Sequence, residues 1–394
     1  MKIGTVLDAL LCVSGGLKKP HLSDTQDATP GAPRGTVTMT GKSRCLATVP
    51  AVAMAAALLL ADAPAHAAAP DTCAPPPPST LVVNVKDKGA KGDGKTDDTK
   101  AIQAAIEAAA GTKSSTVLVP AGTYMVDVDY KRTLKLKSDM TLKLAPGATL
   151  KAFPTDQPRY AMLWIKDVSN VWVIGGTFYG ERDQHKGKGG QYGYGIRIGG
   201  SGEHDTKHIT VIGVTAKKMW ADGFNVFNAT DVRFCSVTAD ANRRQGMSVA
   251  QADGLLVANS VFKNTSGTRP SAGIDLEPAQ PEQHIRNVRI LESKFINNTG
   301  AGIIASAHTA QVSNVEMRGN VFEGNTPIRL INAQGAAATV CGNRQLTKGT
   351  DLSGGLNAYA DPVKSVSIQE ACGDMSFIKS KTRKPPNKNK KKKG

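Results

Sequence analysis

Three carboxylates, Asp222, Asp275 and Glu277, and two adjacent arginines, Arg243 and Arg244, stand beside short glycine-led apolar segments in the middle of the chain. Two carboxyl groups in different protonation states can hydrolyse a glycosidic bond, one as acid and the other as base or nucleophile. An arginine among carboxylates offers a second chemistry. As a permanent cation it clamps the carboxylate of a uronic acid, and a neighbouring base can then remove the proton at C5. Asp275 and Glu277 also offer two oxygen ligands for calcium, with carbonyls or water completing the shell. No other cofactor is called for.

The segments that must position these groups are GIRI at Gly195, GFNV at Gly223, GMSV at Gly246, GIDL at Gly273 and GIIA at Gly302. In each of the first four, the residues one and three places after the glycine are apolar: Ile196/Ile198, Phe224/Val226, Met247/Val249 and Ile274/Leu276. In a strand such residues share one face, so they point inward. Arg197, Asn225, Ser248, Asp275 and Ile304 then form an outward stripe, stepping by ~4.8 Å per strand. Asp222, Arg243, Arg244, Gln245 and Glu277 flank it. The loop 180–195, GERDQHKGKGGQYGYG, supplies Arg182 and His185 as carboxylate binders. Tyr192, Tyr194 and Trp220 supply rings on which sugars stack. The expected substrate contacts are therefore Arg182, His185, Tyr194, Arg197, Trp220, Asn225, Arg243 and Gln245.

A second set of strands recurs between these segments: ITVIGVTA from Ile209, VRFCSVTA from Val232, LLVANSVFKN from Leu255, VRILESKFINN from Val288 and VEMRGNVFEGN from Val315. Aligning Thr215, Thr238, Phe262, Phe295 and Phe322 gives steps of 23, 24, 33 and 27 residues. Short strands at this period, with no helix between them, describe an all-β solenoid in which each coil buries its apolar face against the next. Stacked parallel strands make it a parallel β-helix. Phe262, Phe295 and Phe322 read as a core ladder, and Asn264, Asn297 and Asn325 as turn ladders. Residues 83–110 read as a strand, a Gly/Asp loop and an amphipathic capping helix, with Asp97 or Asp98 as N-cap.

From GAKGDGKTDDTKAIQAAI through VLVPAGTY the chain resembles the opening of the pectate-lyase-like superfamily of right-handed parallel β-helix proteins. The resemblance covers about residues 81–345. It implies a single-stranded right-handed coil capped by an N-terminal α-helix, secretion, and an extended carbohydrate substrate. It does not select a reaction, because that group includes polygalacturonases, rhamnogalacturonases, polysaccharide lyases and uronan epimerases. ADGFNV, at 221–226, resembles the first Asp motif of the polygalacturonases and implies an acid role for Asp222. NRRQG at 242–246 and SAGIDLEP at 271–278 depart from that family's paired Asp and Gly-His-Gly. β-Helix lyases use Arg or Lys as base, often with calcium, which implies a base or clamp at Arg244. The expected catalytic set is Asp222, Arg244, Asp275 and Glu277, acting on an acidic polysaccharide by β-elimination or hydrolysis. A C5-epimerase and a non-catalytic glycan-binding β-helix are the alternatives.

Composition sets the outer bounds. The net charge of +16 over 394 residues is uneven, with nine Lys or Arg and no acid in the last sixteen positions. Charge held in a tail rather than spread over a folded face argues against nucleic acid as partner. The expected organisation is a targeting region at 1–67, a Pro-rich extended linker at 68–80, the β-helix at 81–378 and a Lys-rich tail at 379–394 that can contact anionic surfaces. Lys42 and Arg44 precede an apolar run at 46–61, and Ala65-His66-Ala67 has the shape of a signal-peptidase site. The run is short for a membrane span and contains Pro50. Translation is expected to start at Met39, with cleavage near Ala67 and a secreted or periplasmic product without a transmembrane helix. An oxidising compartment permits disulfides. Cys341 is expected to pair with Cys372, and Cys235 to be a buried thiol.

Overall fold

The computed structural model describes residues 71–352, apart from 130–131, 202–204, 307–310, 332–336 and 348–349, and the short strands Tyr359–Ala360 and Ser367–Ile368. The expectations for residues 1–67, for the tail and for Cys372 lie outside these. About nine coils of parallel strand stack into a right-handed β-helix. Among the described residues no helix is long and apolar enough to cross a membrane.

Each coil has three faces. The first carries the glycine-led segments, as in Tyr192–Gly199 and Ala272–Leu276, and the strand Arg159–Ile165. The second includes Ser169–Ile174, Thr206–Ile212 and His284–Leu291. The long strands Asp222–Cys235 and Gln245–Ala258 serve both, bending where their register breaks near Phe227. The third is built of three-residue strands such as Thr215–Lys217, Thr238–Asp240 and Val261–Lys263.

Alternation along the first face explains the core. Ile196, Ile198, Phe224, Val226, Met247, Val249, Ile274 and Leu276 are all fully buried. The glycine leading each segment is required by close approach between coils. A Cβ on Gly195 would lie 2.6 Å from the Gly223 carbonyl oxygen, and one on Gly246 would lie 2.5 Å from that of Gly273.

On the third face the register corrects the sequence alignment by one residue. Phe262 pairs with Ala239, not Thr238, and Ala239 pairs with Ala216. The shared Ser-Val before Thr238 and Phe262 invited the slip. Since a one-residue slip moves a side chain to the other face, the inward column is Ala216, Ala239, Phe262, Phe295 and Phe322. The three phenylalanines stack at 5.4 and 5.0 Å between centroids. Asn264 and Asn297 hold left-handed turn positions. Asn325 belongs to a different column, in which its carbonyl accepts from Asn298 Nδ2 at 3.2 Å, and Asn298 in turn accepts from the Thr265 amide at 3.1 Å.

The helix Thr99–Ala109 covers the first coil with Ile102, Ala105 and Ile106. Its leading acids divide the work. Asp97 accepts from the Thr99 amide at 3.0 Å, whereas Asp98 accepts from the amides of Lys91 and Gly92 at 2.6 and 3.0 Å and fixes the Gly/Asp loop.

The Pro-rich segment differs from a free solvated linker. Cys73 forms a disulfide with Cys235, so Cys235 is not a thiol. Two residues earlier, Asp71 pairs with Arg289 and, at 2.8 Å, with Arg318. Trp172 Nε1 donates to the Ala74 carbonyl at 3.3 Å. Cys235 sits in an outward column of the second face beside Leu256, Ala258 and Leu291, and the strap covers this apolar strip. Cys341 is also disulfide-bonded. Replacing Cys73 by Ser should lower stability by about 2–4 kcal/mol, the usual worth of such a cross-link. A urea midpoint unchanged from that of the oxidised wild type would show that the ion pairs alone hold the strap.

Candidate active site

The register places Trp164, Arg197, Asn225, Ser248, Asp275 and Ile304 in one column of the first face. Asp222 and Gln245 pair directly in the neighbouring column. The column differs from an open polar stripe in one respect. Asn225, Ser248 and Asp275 face outward from the strands and are nevertheless buried, in one hydrogen-bonded layer with Asp222 and Gln245.

Arg244 is the hub. Its Nη1 and Nη2 donate to Glu277 Oε1 and Oε2 at 2.9 and 2.8 Å, a bidentate pair, and Nη1 also lies 3.4 Å from Asp222 Oδ2. Ser248 Oγ donates to Asp222 Oδ2 at 2.7 Å and accepts from Asn225 Nδ2 at 2.9 Å. Gln245 Nε2 donates to Asp275 Oδ2 at 2.8 Å. The second carboxyl oxygens, Asp222 Oδ1 and Asp275 Oδ1, are buried without a hydrogen-bond partner among the described residues.

Burial sets the protonation. It pushes the fully enclosed Asp222 carboxyl up to about 7, against the pull of Arg244. Asp275 is pushed well above the usual carboxylate range by burial and then by Glu277. Arg244 loses hydration too, yet Asp222, Glu277 and Asp275 together hold it more firmly charged than a free arginine. One cation shared among three carboxyls leaves two of them poorly compensated, and those two sit deepest. A neutral carboxyl that the fold prefers makes stability fall as pH rises from the unfolded value near 3.8 to about 7. Asp222→Asn should flatten that slope, which denaturant titrations at pH 4 to 8 would read; an unchanged slope would place the titration elsewhere.

Over this cluster lies an open cleft of about 290 Å³, lined among others by Arg159, Tyr192, Tyr194, Arg197, Arg244 and Glu277. The Arg159 guanidinium lies 4.3 Å from the Tyr192 ring centroid, and that of Arg197 lies 5.7 Å from the Tyr194 ring. Burial, with Asp222 next in weight, raises Tyr194 above an ordinary phenol, so its hydroxyl keeps its proton. Of the expected residues, Tyr194, Arg197, Asn225, Arg244 and Glu277 line the cleft. Asp222, Asp275 and Gln245 lie directly beneath it.

Arg182, His185, Trp220 and Arg243 do not line it. They pin the loop 180–195 instead. His185 Nδ1 bonds Glu181 Oε2 at 2.9 Å, and its ring stacks on Trp220 at 3.7 Å. The Arg243 guanidinium covers the same indole at 3.7 Å and donates to the carbonyls of Trp220 and Gly190. Arg182 Nη1 donates to the Ala241 carbonyl at 2.7 Å. The Tyr160 hydroxyl donates to Glu181 Oε1 at 2.5 Å beneath them. Arg182 and Arg243 are thereby committed to the loop, whereas His185 Nε2 is buried without a hydrogen-bond partner among the described residues.

Arg159 and Gln283 line the cleft without having been singled out from the sequence. Arg159 stands opposite Tyr192, in a coil where Met162 occupies the place of the leading glycine, so the glycine marker skips it. Gln283 belongs to a turn, where its Oε1 accepts from the amides of Ala279 and Gln280 at 2.7 and 3.1 Å. Both Glu277 oxygens are taken by Arg244, and among the described residues no three acidic, histidine or cysteine side chains converge on one point.

Two family models agree with this architecture. The family described as rhamnogalacturonase A/epimerase, pectate lyase-like, matches residues 82–153, and the right-handed β-helix region matches residues 163–322. An uncharacterized protein, YclG, of Bacillus subtilis (strain 168) is 24% identical over 62% of this chain and 45% of its own length. The mannuronan C5-epimerase AlgE4 of Azotobacter vinelandii is 32% identical over 37% of this chain and 28% of its own. A family 28 exopolygalacturonase structure from Yersinia enterocolitica covers 74% of this chain and 69% of its own, at 16% identity and a TM-score of 0.44. This chain spans about half the length of the first two curated relatives it matches. With its stacked coils, its helical cap and these two family matches, the chain belongs to the pectate-lyase-like superfamily of right-handed parallel β-helix proteins.

Proposed function

We propose that this chain is an extracytoplasmic enzyme that cleaves a uronic-acid polysaccharide by β-elimination. The observation that carries the choice of reaction is the placing of the carboxyl groups. Hydrolysis needs two of them reaching the glycosidic bond from opposite sides. Among the described residues lining the cleft Glu277 is the one carboxylate, while Asp222 and Asp275 lie under the floor at 0% and 3% exposure.

Elimination needs only what the cleft offers. Arg159 and Arg197 neutralise the uronate carboxylate, which acidifies the proton at C5. Glu277 accepts that proton, held in place by Arg244. The electron pair from C5–H forms the C4–C5 double bond, the C4–O4 bond breaks, and O4 takes the Tyr194 proton. Proton exchange with solvent resets Glu277 and Tyr194. Asp222 and Asp275 lie beneath Arg244 and do not touch the substrate. A calcium ion has no part in these steps.

The test uses the purified protein with a panel of polyuronates and neutral polysaccharides, following ultraviolet absorbance of unsaturated uronate together with new reducing ends. Both signals rising together is the expected result. Reducing ends without absorbance would replace elimination by hydrolysis. The identity shared with a mannuronan C5-epimerase favours a second reading, in which the C5 proton returns to the opposite face without bond cleavage. Deuterium entering C5 from heavy water, with neither other signal, would establish it.

A further inference from the structure

Three cations converge on one indole outside the cleft. The Lys135 Nζ, the Lys166 Nζ and the Arg197 guanidinium lie 6.0, 5.6 and 5.1 Å from the Trp164 ring centroid. Lys135, Trp164 and Arg197 are successive members of the column that continues into Asn225, Ser248 and Asp275. Trp164 is half-buried and fixed by its Nε1, which donates to the Gly199 carbonyl at 2.7 Å. Lys135 is exposed, on a strand clamped at both its amide and its carbonyl by Gln103 of the capping helix. Lys166 pairs with Asp167 at 3.4 Å, and among the described residues Lys135 has no carboxylate partner. Lys135 and Arg197 flank Trp164 from the coils before and after it, so a uronate carboxylate beside the indole meets a cation on either side.

We infer that Lys135, Trp164 and Lys166 form a distal subsite for a uronosyl residue of the same polymer, on the side of the cleft toward the N-terminal coils. The inference rests on the uronan reading given above and adds a direction and a minimum length to it. Trp164 is three coils from Ser248, roughly 14 Å at ~4.8 Å per coil. A pyranose residue is about as long as one coil is tall, and Glu277 stands one coil beyond Ser248, so a chain of about five residues is needed to reach from Glu277 to Trp164. In the opposite direction the column passes to Ile304, buried with Ala272 and Ala301, which offers nothing to a carboxylate.

Calorimetric binding of size-defined oligouronates to the full chain tests this, with Glu277→Gln as background so that the ligand is not consumed. The pentamer should bind about tenfold tighter than the dimer. Lys135→Ala and Trp164→Ala should each remove most of that gain while leaving dimer affinity unchanged, and the gain should shrink as salt is raised. Equal affinities for dimer and pentamer, or a gain that survives both substitutions, would overturn the subsite and leave the uronan reading standing. No binding of any oligouronate at any length would overturn both. Circular dichroism of each variant confirms that the coil is intact, and Trp164→Phe, which keeps a ring, should retain most of the gain.

Discussion

Glu277→Gln is expected to lower turnover of the best polyuronate by about 10²–10⁴-fold, the range in which a positioned acid–base group contributes. The substitution keeps the shape and one acceptor oxygen, so Arg244 still has a partner at the cleft rim. Stability should move by about 1 kcal/mol or less, because this ion pair is partly exposed. The loss should fall on kcat, with KM nearly constant, since Arg159 and Arg197 still hold the carboxylate. Steady-state rates at several pH values, beside an unfolding curve, would check both halves. Near wild-type turnover would remove Glu277 as the base and leave Tyr194 as the candidate to examine.

The largest structural effect is expected at Phe295. Its ring is fully buried and stacked on Phe262 above and Phe322 below, at 5.4 and 5.0 Å. Phe295→Ala removes two aromatic contacts at once and opens a cavity that parallel coils cannot close, because each coil is tied to its neighbours by strand pairing. A loss of about 3–5 kcal/mol follows. Phe295→Leu should recover about half of it. Denaturant titration of both variants would decide the matter, and a loss near 1 kcal/mol would mean that the coils can shift to fill the gap.

The two sets of strands were readable because their constraints act locally. A glycine is forced where successive strands approach to van der Waals distance, and the alternation after it marks the buried side. That logic located Asn225, Ser248 and Asp275 in one column from spacing alone. It failed between Thr238 and Phe262, where Ala239 fills the inward position with so small a side chain that its neighbour looked equivalent. The active-site cluster was partly readable for a similar reason. Column membership follows from the strands, but which arginine reaches the cleft depends on side-chain direction. Arg243 and Arg244 are adjacent in sequence and lead opposite lives, one packed on Trp220 and the other bound to Glu277. Cys235 shows the limit most clearly, since its partner lies 162 residues away in a segment without any periodic pattern.

The strap from Asp71 to Ala74 has a consequence for how the coil comes apart. A solenoid bonded only between neighbouring coils frays from its ends, with amide protection that declines step by step along the axis. Here one short segment is joined covalently at Cys235 and by charge at Arg289 and Arg318, so several coils share one fastening. Their amides should exchange together, in a single cooperative block, and the gradient should reappear once the fastening is cut by reduction.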